Sequence, residues 1–137
     1  MKKRKPPNFR KKACQEAKKI ARILAGFICE HCGKGEPERQ THGSHIYSEG
    51  KNPNMSADVD NIICLCWLCH MGGLKIVSAR VFSWHGTPRE AQDWFETKFP
   101  FLKVILRERS KKTMLIINWE QRYRELKKLR IRYESPV

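Results

Sequence analysis

The stretch Asp60-Asn61-Ile62-Ile63-Cys64-Leu65-Cys66-Trp67-Leu68-Cys69-His70 decides the fold. Val59 to Leu65, apolar from Ile62 onward, is the strongest strand candidate in the chain. It runs directly into the pair Cys66-x-x-Cys69, and a matching pair, Cys29-Glu-His-Cys32, lies upstream. Two thiolates three residues apart on a tight turn take two corners of a tetrahedron, and a second pair closes it at Zn–S distances of about 2.3 Å. In a chain whose N-terminus reads as no secretory signal, such pairs predict one structural zinc site rather than disulfides. Gly33 follows the first pair, where the chain has to reverse. The two remaining cysteines, Cys14 and Cys64, fall in a predicted helix and in the predicted strand, and read as packed thiols.

Outward from this centre the charge is uneven. The 137 residues carry 28 Lys and Arg against 14 Asp and Glu, a formal +14. Residues 1–22 hold ten basic side chains against the single acid Glu16, and residues 103–137 hold eleven against four, while the middle is slightly acidic. Such a balance favours a polyanionic partner, most often nucleic acid. The residues expected to touch phosphates are Lys2, Lys3, Arg4, Lys5, Arg10, Lys11 and Lys12 at one end and Arg122, Lys127 and Lys128 at the other. No apolar run approaches the length of a membrane span, and an intracellular, cytoplasmic protein is expected.

The coarse organisation is a small α+β domain with helical extensions. Residues 1–10 are expected to form a basic disordered arm, 11–100 the central domain with its N-terminal helix and cysteine pairs, and 101–137 a basic helical extension. Lys11 to Ala25 repeats apolar residues at helical spacing, and Gly26 ends that helix. His45-Ile46-Tyr47 is a candidate short strand. Gly72-Gly73 breaks the segment after the second cysteine pair. Thr87-Pro88-Arg89-Glu90 has the cap, first-turn proline and acid of a helix start, and that helix turns Ala91, Trp94, Phe95 and Phe99 inward until Pro100. Phe101–Glu108 is a second short helix or an irregular apolar segment. Asn118 caps a last helix with Trp119, Tyr123, Leu126, Leu129 and Tyr133 on one face. His31, inside the first cysteine pair, reads as filler.

The histidines and asparagine between the cysteine pairs carry the chemistry. Asn61 precedes Cys66 by five residues and His70 by nine, and His45 stands sixteen residues before Asn61. The string Asn61-x-x-x-Leu65-Cys66-x-x-Cys69-His70 resembles the second half of an HNH endonuclease motif, with His45, in Thr41-His42-Gly43-Ser44-His45-Ile46, as the first histidine. The segment from Trp84-His85-Gly86 into Trp94 and Phe99 is similar to the C-terminal part of small HNH proteins of phages and mobile elements, so the resemblance spans roughly residues 26–100. It implies a ββα-metal (His-Me) finger, a hairpin and a helix around one catalytic divalent cation (Mg, Mn or Ni), and hydrolysis of DNA that leaves a 3′-hydroxyl and a 5′-phosphate. Imidazole, with an ordinary pKa of about 6.5, accepts a proton near neutral pH, so His45 is the expected general base. Asn61 is expected to fix the hairpin and the imidazole, and His70 to bind or position the cation.

Many family members place Asp or His directly before the first motif histidine, where this chain has Ser44. His42, His85, Asp58 or Asp60 can supply the missing ligand. The alternative to an enzyme is a zinc-finger nucleic-acid-binding protein that keeps the scaffold without the chemistry. A zinc-stapled protein adaptor is a weaker third reading. One active site would nick, whereas cutting both strands requires a dimer or two visits.

Overall fold

In this computed structural model, residues 1–71, 82–112 and 116–135 are described. Helix α1 spans Phe9–Leu24, two residues earlier than the periodicity suggests, because the Asn8 side chain accepts the Lys11 backbone N–H at 3.0 Å and caps the first turn. Its buried face is built from Ala13, Cys14, Ala17, Ile20 and Ala21. The small side chains on this stripe let neighbouring backbone come close. Residues 1–8 precede the helix without regular structure.

Two strands, β1 (Thr41–His45) and β2 (Ile62–Cys66), pair antiparallel, with Thr41 opposite Cys66, Gly43 opposite Cys64 and His45 opposite Ile62. Both are displaced from the sequence expectation, β1 by four residues towards the N-terminus. The apolar run starts later as a strand because Val59–Asn61 is a 3₁₀ turn, capped by the Asp58 carboxylate accepting from the Asp60 N–H. The backbone ladder outlasts β1 by one bond, from Ile46 N–H to the Asn61 carbonyl at 2.9 Å. All five residues of β2 are buried. Ile63 and Leu65 join Cys29, Met55, Trp84, Phe95 and Leu106 in one core, and Ile62 joins Ala13, Ala17, Ile20 and Leu126 in another. The strand is therefore apolar on both faces, as its sequence is.

Helix α2 (Trp67–Met71) leaves β2 at once and carries Cys69 and His70. The Gly72-Gly73 break lies outside the described residues. Helix α3 (Pro88–Lys98) buries Ala91 and Phe95, as expected. Its cap differs from the expectation: the Thr87 hydroxyl accepts from the Ser83 N–H and donates to the Ser83 carbonyl, so the preceding turn uses it and no side-chain cap forms. Helix α4 (Pro100–Ser110) settles the apolar segment as helical and inserts Leu106 into the core.

Helix α5 (Trp119–Glu134) is capped by Asn118, which accepts from the Gln121 N–H at 3.1 Å. It packs along α1 in the same direction. Phe9 meets Tyr123 near one end, with ring centroids 6.0 Å apart, and the buried Glu16 pairs with Arg130 further along. The two most basic segments of the sequence thus lie side by side.

Candidate functional site

The sulfur donors of Cys29, Cys32, Cys66 and Cys69 all lie within 4.8 Å of one another. The Cys32 and Cys66 sulfurs are 3.7 Å apart, close to the roughly 3.8 Å that two thiolates show across a tetrahedral zinc ion. Each pair is a knuckle in which the backbone N–H of the second cysteine points at the sulfur of the first, both at 3.5 Å. Gly33, with φ +76°, takes the left-handed conformation that returns the chain after the first knuckle. Cys29 is held down to about 4, first by the hydrogen bond from the Cys69 thiol and then by backbone N–H groups, while Cys69 is pushed up by that same bond. One negative charge settles readily here, and further thiolates need a cation. The donor set suits zinc.

Two residues beside this cluster depart from the sequence expectation: Arg39, which carries no motif, and His31, expected as filler. Arg39 Nη1 lies 3.9 Å from the Cys32 sulfur and 3.8 Å from that of Cys66, placing a positive charge where four thiolates around a divalent ion would leave a net negative one. His31 is no filler: its Nδ1 is 3.4 Å from the Cys69 sulfur, and its ring stacks on Phe82 at 3.6 Å. Outer partners of this kind orient metal ligands.

Three histidines meet on the other side of α2. His42 Nδ1 lies 3.1 Å from His70 Nδ1, and His70 Nε2 lies 2.9 Å from His85 Nε2. His70 turns a different nitrogen to each neighbour, so it can share an ion with only one of them. The other then fixes which nitrogen carries the ring proton. Burial, with His85, His42 and Lys18 adding to it, pushes His70 down to about 4, which keeps the ring neutral near pH 7 with a free lone pair. His42 and His70 line a cleft whose opposite wall is the basic face of α1, with Gln15, Lys18, Lys19 and Arg22. That wall stands close because β1 carries Gly43 beneath it: a Cβ there would lie 2.8 Å from the Lys18 Cβ.

His45 sits at the end of β1 with different neighbours. Its Nε2 is 2.8 Å from the Ser56 carbonyl, and its Nδ1 is 3.7 Å from a Glu49 carboxylate oxygen. The Nε2–H donates to that carbonyl, so Nδ1 is the acceptor nitrogen. Asn61 is wholly buried, and its amide donates to the Tyr47 and Met55 carbonyls while its oxygen accepts the Tyr47 N–H. It ties together the loop between the strands, bonding Tyr47, two residues after His45, and Met55, the residue beside Ser56. Asp58 and Asp60 are both paired with Arg109, at 2.9 and 2.8 Å. The Ser44 hydroxyl is buried and has no hydrogen-bond partner among the described residues.

Of the residues expected to touch phosphates, Lys2, Lys3, Arg4 and Lys5 are exposed ahead of α1, and Arg10, Lys11 and Lys12 are exposed in its first turn. Arg122, Lys127 and Lys128 are exposed on α5. Lys12 and Lys127 both lie over the Tyr123 ring, at 5.5 and 5.9 Å from its centroid, which joins the two basic helices into one surface. Among known proteins, the chain matches no protein-family model, no curated protein and no solved structure.

Proposed function

We propose that this chain is a metal-dependent endonuclease of the HNH type, hydrolysing phosphodiester bonds in DNA. The observation that carries the reading is the pairing of His42 with His70 at 3.1 Å in a cleft walled by Lys18, Lys19 and Arg22. Two imidazole nitrogens on one divalent ion are separated by about 3 Å, so the pair fits a cation beside a surface that attracts phosphate. A Mg, Mn or Ni ion held there would supply Lewis-acid stabilisation of the charge that builds on the phosphate.

The remaining steps belong to the chain's own groups. Lys18, Lys19 and Arg22 hold the phosphate by charge. His85 receives the His70 Nε2–H, which leaves the His70 Nδ1 lone pair facing His42. His45, oriented by the Ser56 carbonyl, takes a proton from water at Nδ1, and the Glu49 carboxylate at 3.7 Å stabilises the imidazolium that results. Asn61 is a positioning residue that holds the loop presenting Ser56.

A second reading has its own observation. Ser44 fills the position before His45 with a hydroxyl that is buried and unpartnered among the described residues, and a chain that binds nucleic acid without cutting it would tolerate such a loss. Supercoiled plasmid incubated with Mg²⁺, Mn²⁺ or Ni²⁺ separates the two. Nicking by the wild type that disappears in His42→Ala and His70→Ala supports the enzyme. A gel shift without cleavage in any of the three metals refutes it in favour of the binder.

A further inference from the structure

A thiol, an imidazole and a carboxylate meet where α1 crosses the end of β1. The Cys14 sulfur lies 3.6 Å from His45 Nε2 and 3.7 Å from Glu49 Oε2. The Ser56 carbonyl, 2.8 Å from the same Nε2, adds a fourth donor. None of these groups belongs to the four-cysteine cluster or to the His42–His70–His85 group. Cys14 is buried, His45 keeps 11% of its side chain exposed, and Glu49 keeps 48%. The cluster is closed on the α1 side and open at the carboxylate, where an ion can enter.

We propose that Cys14, His45, Glu49 and the Ser56 carbonyl form a second zinc site. With Zn–S near 2.3 Å and Zn–N near 2.0–2.1 Å, a tetrahedral ion separates its sulfur and nitrogen ligands by roughly 3.6 Å. The Cys14–His45 pair already has that separation. A thiolate with an imidazole selects zinc over Mg or Mn, which prefer all-oxygen ligands. On binding, the Cys14 thiol gives its proton to solvent. The neutral His45 ring carries one proton, which must move from Nε2 to Nδ1 when the ion takes the Nε2 lone pair. Resting here on the nuclease reading, the consequence is inhibition: zinc removes the Nδ1 lone pair that accepts the proton of water, while the cation at His42 and His70 stays in place.

The test is zinc content of the full chain equilibrated at a series of buffered free-zinc concentrations, for the wild type, Cys14→Ser and Glu49→Ala. The site predicts that each variant holds one equivalent fewer than the wild type, with the four-cysteine equivalent retained. Glu49 is an exposed loop residue, so Glu49→Ala carries the test if Cys14→Ser fails to fold. With Co²⁺ in place of zinc, the sulfur-to-metal absorption of the extra equivalent should be absent in Cys14→Ser. Equal zinc content in the wild type and a folded variant overturns the site. In a parallel cleavage assay with Mn²⁺, zinc that fills the site should inhibit the wild type and spare Cys14→Ser. A chain that cuts nothing in any metal refutes the nuclease reading, and the zinc count still decides the site.

Discussion

Replacing Asn61 by alanine separates a residue that acts on chemistry from one that acts on the loop. Its side chain is wholly buried and makes three hydrogen bonds, to the Tyr47 N–H, the Tyr47 carbonyl and the Met55 carbonyl. Alanine strands all three backbone groups. A buried group left unpaired costs about 1–3 kcal/mol. Tyr47 is half-buried and water can reach its side of the loop, so the low end of that range applies and the total is about 3 kcal/mol. At about 3–4 °C per kcal/mol for a chain of this size, Asn61→Ala should melt about 10 °C below the wild type. Asn61→Asp keeps the acceptor for the Tyr47 N–H but turns a charged oxygen towards two carbonyls, and should lose at least as much. The assay is thermal melting followed by circular dichroism with zinc held constant, read beside single-turnover cleavage at a temperature where both proteins are folded. Because the Asn61 side chain bonds the backbone of Tyr47 and Met55 on either side of His45 and Ser56, and acts through that loop, the double variant with His45→Ala should cut little worse than His45→Ala alone. A melting temperature within 2 °C of the wild type, together with a full loss of cleavage, would refute the positioning role.

Gly43→Ala should destabilise by about 1–3 kcal/mol, because its Cβ would meet the Lys18 Cβ at 2.8 Å and force α1 outward; an unchanged melting curve would show that α1 does not sit this close. Lys18→Gly should recover part of that loss, whereas Lys18→Ala, which keeps the offending Cβ, should not. Chelating the four-cysteine ion, or substituting Cys66→Ser, should unfold the region around β2 and α2, since metal affinity here is folding energy; a Cys66→Ser protein with full zinc content and an unshifted melting temperature would contradict it. Removing Met1–Pro7 spares the Asn8 cap and takes away four basic side chains. It should weaken DNA binding on all sequences alike and flatten the salt dependence, by roughly 0.9 in log–log slope for each phosphate the arm no longer neutralises. An unchanged slope would leave the arm without a role in binding.

The parts of this fold that could be read in advance are those whose signal is local. The cysteine pairs, the apolar run of β2, the start of α3 at Pro88 and the Asn118 cap each depend on residues within one turn or strand of each other. β1 is different. Thr-His-Gly-Ser-His has no apolar alternation and only one β-branched residue, Thr41, and it is a strand because β2 has backbone groups to pair and α1 needs a glycine beneath it. The histidines follow the same rule. Spacing groups His45, Asn61 and His70 on a motif, while the fold sets His70 against His42 and His85 and gives His45 to Ser56, Glu49 and Cys14. Which side chains converge depends on the register of β1 and on where α1 crosses it. Cys14 and His45 are 31 residues apart, and Arg39 and His31 touch the sulfur cluster through contacts that no short motif encodes.

Single-turnover cleavage of a labelled duplex across a Mn²⁺ titration, by the wild type, His42→Ala, His70→Ala and His45→Ala, tests the central claim most directly. If His42 and His70 hold the cation, their variants should need more Mn²⁺ and recover part of the rate when it is supplied. His45→Ala should lose about 10²–10⁴-fold at every Mn²⁺ concentration, the usual contribution of a general base. Equal Mn²⁺ dependence in all four proteins, or a wild-type rate in His45→Ala, would contradict the account.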